Sequence, residues 1–229
     1  MRNGLKVGLI STFAALHVIL YGLSFGLWRN WAIYLEPIEG VLLGPWAGFL
    51  TVLIGSVVGR VLRPTDFWMF GIVAEPLAVL VCGFLARGRW KPAALLYVGM
   101  LAAYFAHPFG RALPLWTILD IILSFILIYP TARWGHHLFE VDVKRRSMSL
   151  ALIALVTTVT DSLTRVFLLI PVGLYALFGL PFEGVLGIFV AGAIHSYIED
   201  ILVVAVSLVV GAPLLTALRG LRGFKYPLT

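Results

Sequence analysis

The chemistry in this 229-residue chain lies in ionisable residues set inside apolar stretches: Arg60, Glu75, Asp120, Asp161, Arg165, His195, Glu199 and Asp200. Glu36, Glu39 and Glu183 stand at the ends of such stretches. A charge at the centre of a membrane-spanning helix costs at least ~2.5–3.5 kcal/mol on insertion scales, so each one needs a reason. Asp161 and Arg165 are four apart and share one helix face, where they either pair with each other or turn toward a ligand. His195 and Glu199 have the same spacing, and Asp200 follows. A histidine and a carboxylate so placed can contact a ligand, pass a proton, or supply two ligands to a metal. Zinc takes three or four ligands, and no His-Glu-x-x-His is present, so no metal and no cofactor is expected. Glu75 precedes Pro76, whose missing N–H loosens the helix beside the carboxylate. His17 reads as a bonded core histidine, and His136-His137 as a solvated pair in a basic loop. Trp28, Trp31, Tyr34, Trp46 and Trp68 crowd the ends of the early stretches. They form either an interfacial aromatic belt or a surface that stacks on a flat ring, with Glu36 or Glu39 to bond it.

Composition says what must position these groups. Apolar residues make up 61% of the chain and charged ones 12%, with a mean hydropathy of +1.00. Soluble domains carry about 25% charged residues, so a soluble fold and a disordered chain are both excluded. Cys82 is the one cysteine, which excludes a disulfide scaffold. The expectation is an all-α, polytopic membrane helix bundle in a single transmembrane domain, residues 1–229. The apolar blocks are 7–28, 36–62, 67–86, 93–107, 113–132, 148–178 and 184–218. Block 7–28 is too long for the apolar core of a cleaved signal and is expected to be a true first span. Gly44-Pro45 divides 36–62 into a short piece, 36–44, and a longer helix, 45–62. Such breaks persist at membrane depth only where protein or a wet cavity receives the freed backbone groups.

Lys and Arg number 17 against 11 Asp and Glu, for a net charge of +6. The basic residues sit in runs between apolar blocks, as the positive-inside rule predicts, and argue against nucleic-acid binding. Arg2, Lys6, Arg87, Arg89, Lys91, Arg133, Lys144, Arg145, Arg146, Arg219, Arg222 and Lys225 can all be cytoplasmic if 36–62 enters and returns as a broken pair. Both termini are then cytoplasmic in a cell-membrane protein. Loops 29–35, 63–66, 108–112 and 179–183 face outward.

Phosphate-binding loops and dinucleotide fingerprints are absent. Any uphill transport must draw on a partner or an ion gradient. An internal echo links Pro37-Ile38-Glu39-Gly40-Val41-Leu42 with Pro181-Phe182-Glu183-Gly184-Val185-Leu186, and Ala47-Gly48 with Ala191-Gly192.

The run from Pro37 to Gly55, PIEGVLLGPWAGFLTVLIG, resembles the substrate-binding (S) components of energy-coupling-factor vitamin transporters. So does the tail, with a long helix at 148–178, then Ile194-His195-Ser196-Tyr197-Ile198-Glu199-Asp200 and Gly211-Ala212-Pro213. The resemblance covers 5–90 and 147–220. It implies a six-helix core with a two-helix hairpin, 92–135, inserted as a departure from the family. It implies a small-molecule site near the outer face, beneath the loop after the first helix. It also implies docking on a transmembrane coupling subunit driven by ATPase subunits. The family docks through Ala-x-x-x-Ala; Ser11 and Ala15 are the imperfect counterpart.

The expected role is therefore a membrane subunit, not an enzyme, that binds a vitamin or related small metabolite. Trp28, Trp31, Tyr34, Glu36 and Glu39 would form a lid, and Glu75, Asp161, Arg165, His195 and Glu199 would supply polar contacts. The alternative is an intramembrane enzyme or metal-dependent protein using His195, Glu199 and Asp161.

Overall fold

A computed structural model describes residues 3–23, 30–65, 67–140 and 142–220. These residues are almost all helical, with no strand among them. The helices are α1 (Asn3–Tyr21), α2 (Glu36–Leu43), α3 (Pro45–Leu62), α4 (Trp68–Leu85), α5 (Trp90–Ala106), α6 (Pro108–Ala112), α7 (Leu119–Trp134), α8 (Val143–Leu169), α9 (Leu174–Leu177), α10 (Phe182–Val206) and α11 (Ala212–Gly220). Among the described residues, five segments are long and apolar enough to cross a membrane: Pro45–Leu62, Trp68–Leu85, Leu115–Phe139, Val143–Leu169 and Phe182–Leu218. The chain is a polytopic helical membrane bundle.

The break at Gly44-Pro45 forms as the sequence predicts. Gly44 has φ 85°, a left-handed value that favours glycine, and Pro45 opens α3. All eight residues of α2 are buried, and at 1.5 Å per residue it spans only about 12 Å. Its freed backbone ends are therefore received by protein, as a broken helix in a membrane requires. Gly83 of α4 lets the break approach, since a Cβ there would run into the backbone of Gly44 and Pro45.

Close contacts fix the directions of the helices. His17 of α1 lies against Gly55 and Tyr21 against Gly59, so α1 and α3 run parallel, seated by a small-xxx-small pair. Pro45 against Gly83, Gly48 against Val79 and Arg60 against Gly71 make α3 and α4 antiparallel. Ser162 bonds Ser196 and Leu150 faces Gly211, so α8 and α10 are antiparallel. The ends of α1, α3 and α8 thus share one side of the bundle with the starts of α4, α7 and α10. Arg87, Arg89, Lys91, Arg133, Lys144 and Arg145 belong to the other side.

Two blocks depart from expectation. Span 148–178 stops at Leu169 because Pro171 lacks the N–H that would continue the helix; Gly173 then turns left-handed at φ 86°. Segment 30–35 does not lie over the outer face. Asn30 caps a 3-10 turn, Trp31–Tyr34, and Ile33 packs against Ala154 and Val203 inside the bundle. Its apolar residues Ala32, Ile33 and Leu35 are buried and draw the turn inward. The hairpin 92–135 is also no appendage. Tyr97, Tyr104, Ile121 and Ile128 belong to the same hydrophobic core as α2, α4, α8 and α10.

Candidate functional site

Two arrangements of polar groups occupy the bundle. The first is a buried ion network spread over several elements. Glu75 of α4 sits at its centre, freed for contact by the small residue Gly71, where a Cβ would collide with the Arg60 guanidinium. Arg60 donates to both oxygens of Glu75, at 2.6 Å to Oε1 and 3.1 Å to Oε2. Asn30 Nδ2 donates to Oε1 at 3.2 Å, and the Ser56 hydroxyl donates to Oε2. His17 Nε2 lies 3.4 Å from Oε2, and its Nδ1 lies 3.3 Å from Glu39 Oε2. Arg165 NH2 reaches Glu75 Oε1 at 3.7 Å. Arg165 also donates to Asp161 from Nε at 2.7 Å and from NH2 at 3.2 Å. Desolvating ions without partners costs several kcal/mol each, and pairing with charge-assisted hydrogen bonds is what makes such a cluster tolerable.

The second arrangement is a cavity of about 630 Å³ beside the network, at the side where α1, α3 and α8 end. Its lining includes Arg60, Arg63 and Arg165 together with Asp120, His195, Ser196 and Glu199 from α7 and α10. Asp120 Oδ2 accepts from the Ser196 hydroxyl at 3.0 Å, and Ser196 meets Ser162 at 3.1 Å. Apolar side chains such as Leu169, Ile188 and Phe189 line the rest. Phe67, held at φ 59°, stacks edge-on to Phe178 at 4.8 Å and so closes an aromatic rim with Phe70. A mostly apolar hollow with a few convergent polar groups is how small molecules are generally held.

The ten residues read as substrate contacts divide between these arrangements. Arg165, His195 and Glu199 line the cavity. Glu75 and Asp161 stand behind it, bonded to the arginines that face it. Glu39 is bonded to His17 deeper in the bundle, and Glu36 is buried on α2. Trp31 and Tyr34 meet edge to face at 6.4 Å. None of Trp31, Tyr34, Glu36 and Glu39 is among the described residues that line the cavity. Trp28 lies outside the described residues. Ser11 and Ala15 are exposed on α1.

Sequence reasoning passed over Asn30, Ser56 and Arg63, kept Arg60 and Asp120 only as embedded charges, and assigned His17 to the core. A signal existed for Ser56 and Arg60, which stand four apart on α3 and share a face. Among the described residues, the group of three whose ligand atoms lie within 4.8 Å of one another is His136, His137 and Glu140. It belongs to the side opposite the cavity, and His195, Glu199 and Asp161 form no such group.

Over 131 residues, 56% of this chain, the sequence is 24% identical to an uncharacterized protein of Methanocaldococcus jannaschii. The match takes in 44% of that protein, so the chain spans less than half the length of the relative it matches. No family model matches, and no solved structure matches.

Proposed function

We propose that the protein is the substrate-capturing subunit of a membrane uptake transporter, binding a vitamin-sized metabolite and relying on separate coupling and ATPase subunits for energy. The observation that carries this reading is the 630 Å³ cavity lined by both guanidinium groups and carboxylates. Its size falls inside the roughly 300–1,000 Å³ range of ligand pockets. Donors and acceptors in one hollow suit a polar heterocycle better than a lipid tail.

Orientation supports capture from outside. The side opposite the cavity gathers Arg87, Arg89, Lys91, Arg133, Lys144 and Arg145, and the positive-inside rule makes that side cytoplasmic in the cell membrane. The cavity then opens outward. The exposed α1 face with Ser11 and Ala15 is the proposed docking surface for the coupling subunit.

The test is native mass spectrometry of the purified protein, followed by affinity measurements for the small molecule it retains. Arg165→Ala, His195→Ala and Glu199→Gln are each expected to weaken binding at least tenfold, about 1.4 kcal/mol. Unchanged affinity in all three, or a protein that retains and binds no small molecule, overturns the reading.

A further inference from the structure

The buried network holds His17 between two carboxylates, Glu39 and Glu75. Donors around Glu75 come from Arg60 twice, from Asn30 and from Ser56. A carboxylate so surrounded has no oxygen left to carry a proton, so Glu75 is ionised and can only accept. His17 Nε2 therefore faces a pure acceptor at 3.4 Å and must carry a hydrogen. A neutral imidazole has a single N–H. Nδ1, 3.3 Å from Glu39 Oε2, is then a bare lone pair facing an oxygen, unless a second proton lies between them. Either Nδ1 is protonated and donates to an ionised Glu39, or Glu39 is a carboxylic acid and donates to Nδ1.

Glu39 and His17 are fully buried, and Glu75 is 2% exposed, so a bare lone pair facing an oxygen there cannot be left to solvent.

Glu36 on α2 and Cys82 on α4 are buried as well. Among the described residues Glu39 Oε1 has no hydrogen-bond partner, which leaves Glu39 an oxygen free to take the proton.

We infer that His17 and Glu39 form a buried proton-binding site, in which the two share a proton beside the ionised Glu75. Ser56 bridges His17 and Glu75, with its Oγ 3.4 Å from Nε2. Asn30 and Arg60 bond Glu75 and also line the cavity. A hydrogen-bonded chain thus runs from the cavity wall to a histidine between two carboxylates at membrane depth. Ionisable residues so placed inside membrane helices mark functional sites. The site stands whether or not the cavity binds a metabolite.

The experiment is nitrogen-15 NMR of ring-labelled histidine in lipid nanodiscs, with infrared spectra of the same samples. Replacing His107, His136, His137 and His195 with Asn leaves His17 as the single reporter. At neutral pH the expected result is either an imidazolium, or an Nε2–H ring together with a protonated-carboxyl band. Whichever signal is seen shifts in D2O and is lost in Glu39→Gln. A neutral His17 ring with no carboxylic-acid band overturns the site. So does a signal that Glu39→Gln leaves intact. So does a signal that D2O leaves unmoved, since it then reports no exchangeable proton. If Glu39→Gln does not fold, the spectra of the reporter protein decide alone, since a neutral ring without the acid band is sufficient to refute the proposal.

Discussion

Residues 37–42 and 181–186 share Pro, Glu, Gly, Val and Leu at the same five positions, yet the two hexapeptides end in opposite environments. Glu39 is fully buried and bonded to His17; Glu183 is exposed in the first turn of α10. Gly40 lies against Cys82, where a Cβ would meet Cβ and Sγ at 2.5 Å; at Gly184 the nearest atom is Pro181 Cδ at 3.4 Å. The local sequences are nearly the same, so the difference comes from the residues downstream of each hexapeptide. Gly44-Pro45 ends the first helix after eight residues and folds α3 back beside it. The equivalent positions in α10 are Ile188 and Phe189, and that helix runs on for 25 residues. A break converts a helix start into a plug surrounded by other helices, whereas a continuous helix keeps its first turn at the surface.

Removing the two glutamates separates the environments most widely. Glu39→Ala leaves His17 facing an empty acceptor position in a dry interior, and breaking a buried pair costs about 3–5 kcal/mol. Glu183→Ala is expected to change stability by no more than about 0.5 kcal/mol, as surface substitutions do. Thermal unfolding of both variants in one detergent measures the contrast. Equal losses would mean that the echo describes two equivalent helix starts.

The glycines give the next largest contrast. Gly40→Ala forces α2 away from Cys82 and the carbonyl of Val79, and overpacking of that kind costs roughly 1–3 kcal/mol. Gly184→Ala meets only ordinary van der Waals contact. It gains up to about 1 kcal/mol of helix propensity, so its unfolding temperature should hold or rise. A loss at Gly184 as large as that at Gly40 would place a second helix against the start of α10.

These contrasts also show what the sequence could and could not reveal. The Gly44-Pro45 break was legible because its cause is local: a donor is missing and a left-handed residue precedes it. The Asp161–Arg165 pair was legible for the same reason, since a helix fixes the i,i+4 neighbour. The partners of His17 were not legible. They lie 22 and 58 residues away, and they meet only because α1 seats its face on Gly55 and Gly59 while α2 returns beside α4. The inward course of the turn before α2 was not legible for a similar reason. Aromatic residues near a span end read as interfacial, but Ala32, Ile33 and Leu35 between them carry the turn into the core. The cavity needed Asp120 from the hairpin, whose place against α10 no local pattern records.

The smallest expected effect lies at the end of the echo. Gly48 and Gly192 occupy equivalent positions, but a Cβ on Gly48 would stand 2.7 Å from Val79 Cγ1, whereas a Cβ on Gly192 meets nothing within 4 Å. Val79 Cγ1 belongs to a side chain that can shift, so Gly48→Ala should cost about 1 kcal/mol, the low end of overpacking. Gly192 lines the cavity, so enlarging it acts on the hollow and not on the fold. Gly192→Val should leave unfolding within about 0.5 kcal/mol of the parent. It should weaken binding of the retained small molecule because its methyl groups take up space the ligand needs. A Gly192→Val protein that keeps full affinity would show that the ligand does not reach this wall, and would move the binding site toward Arg60 and Arg165.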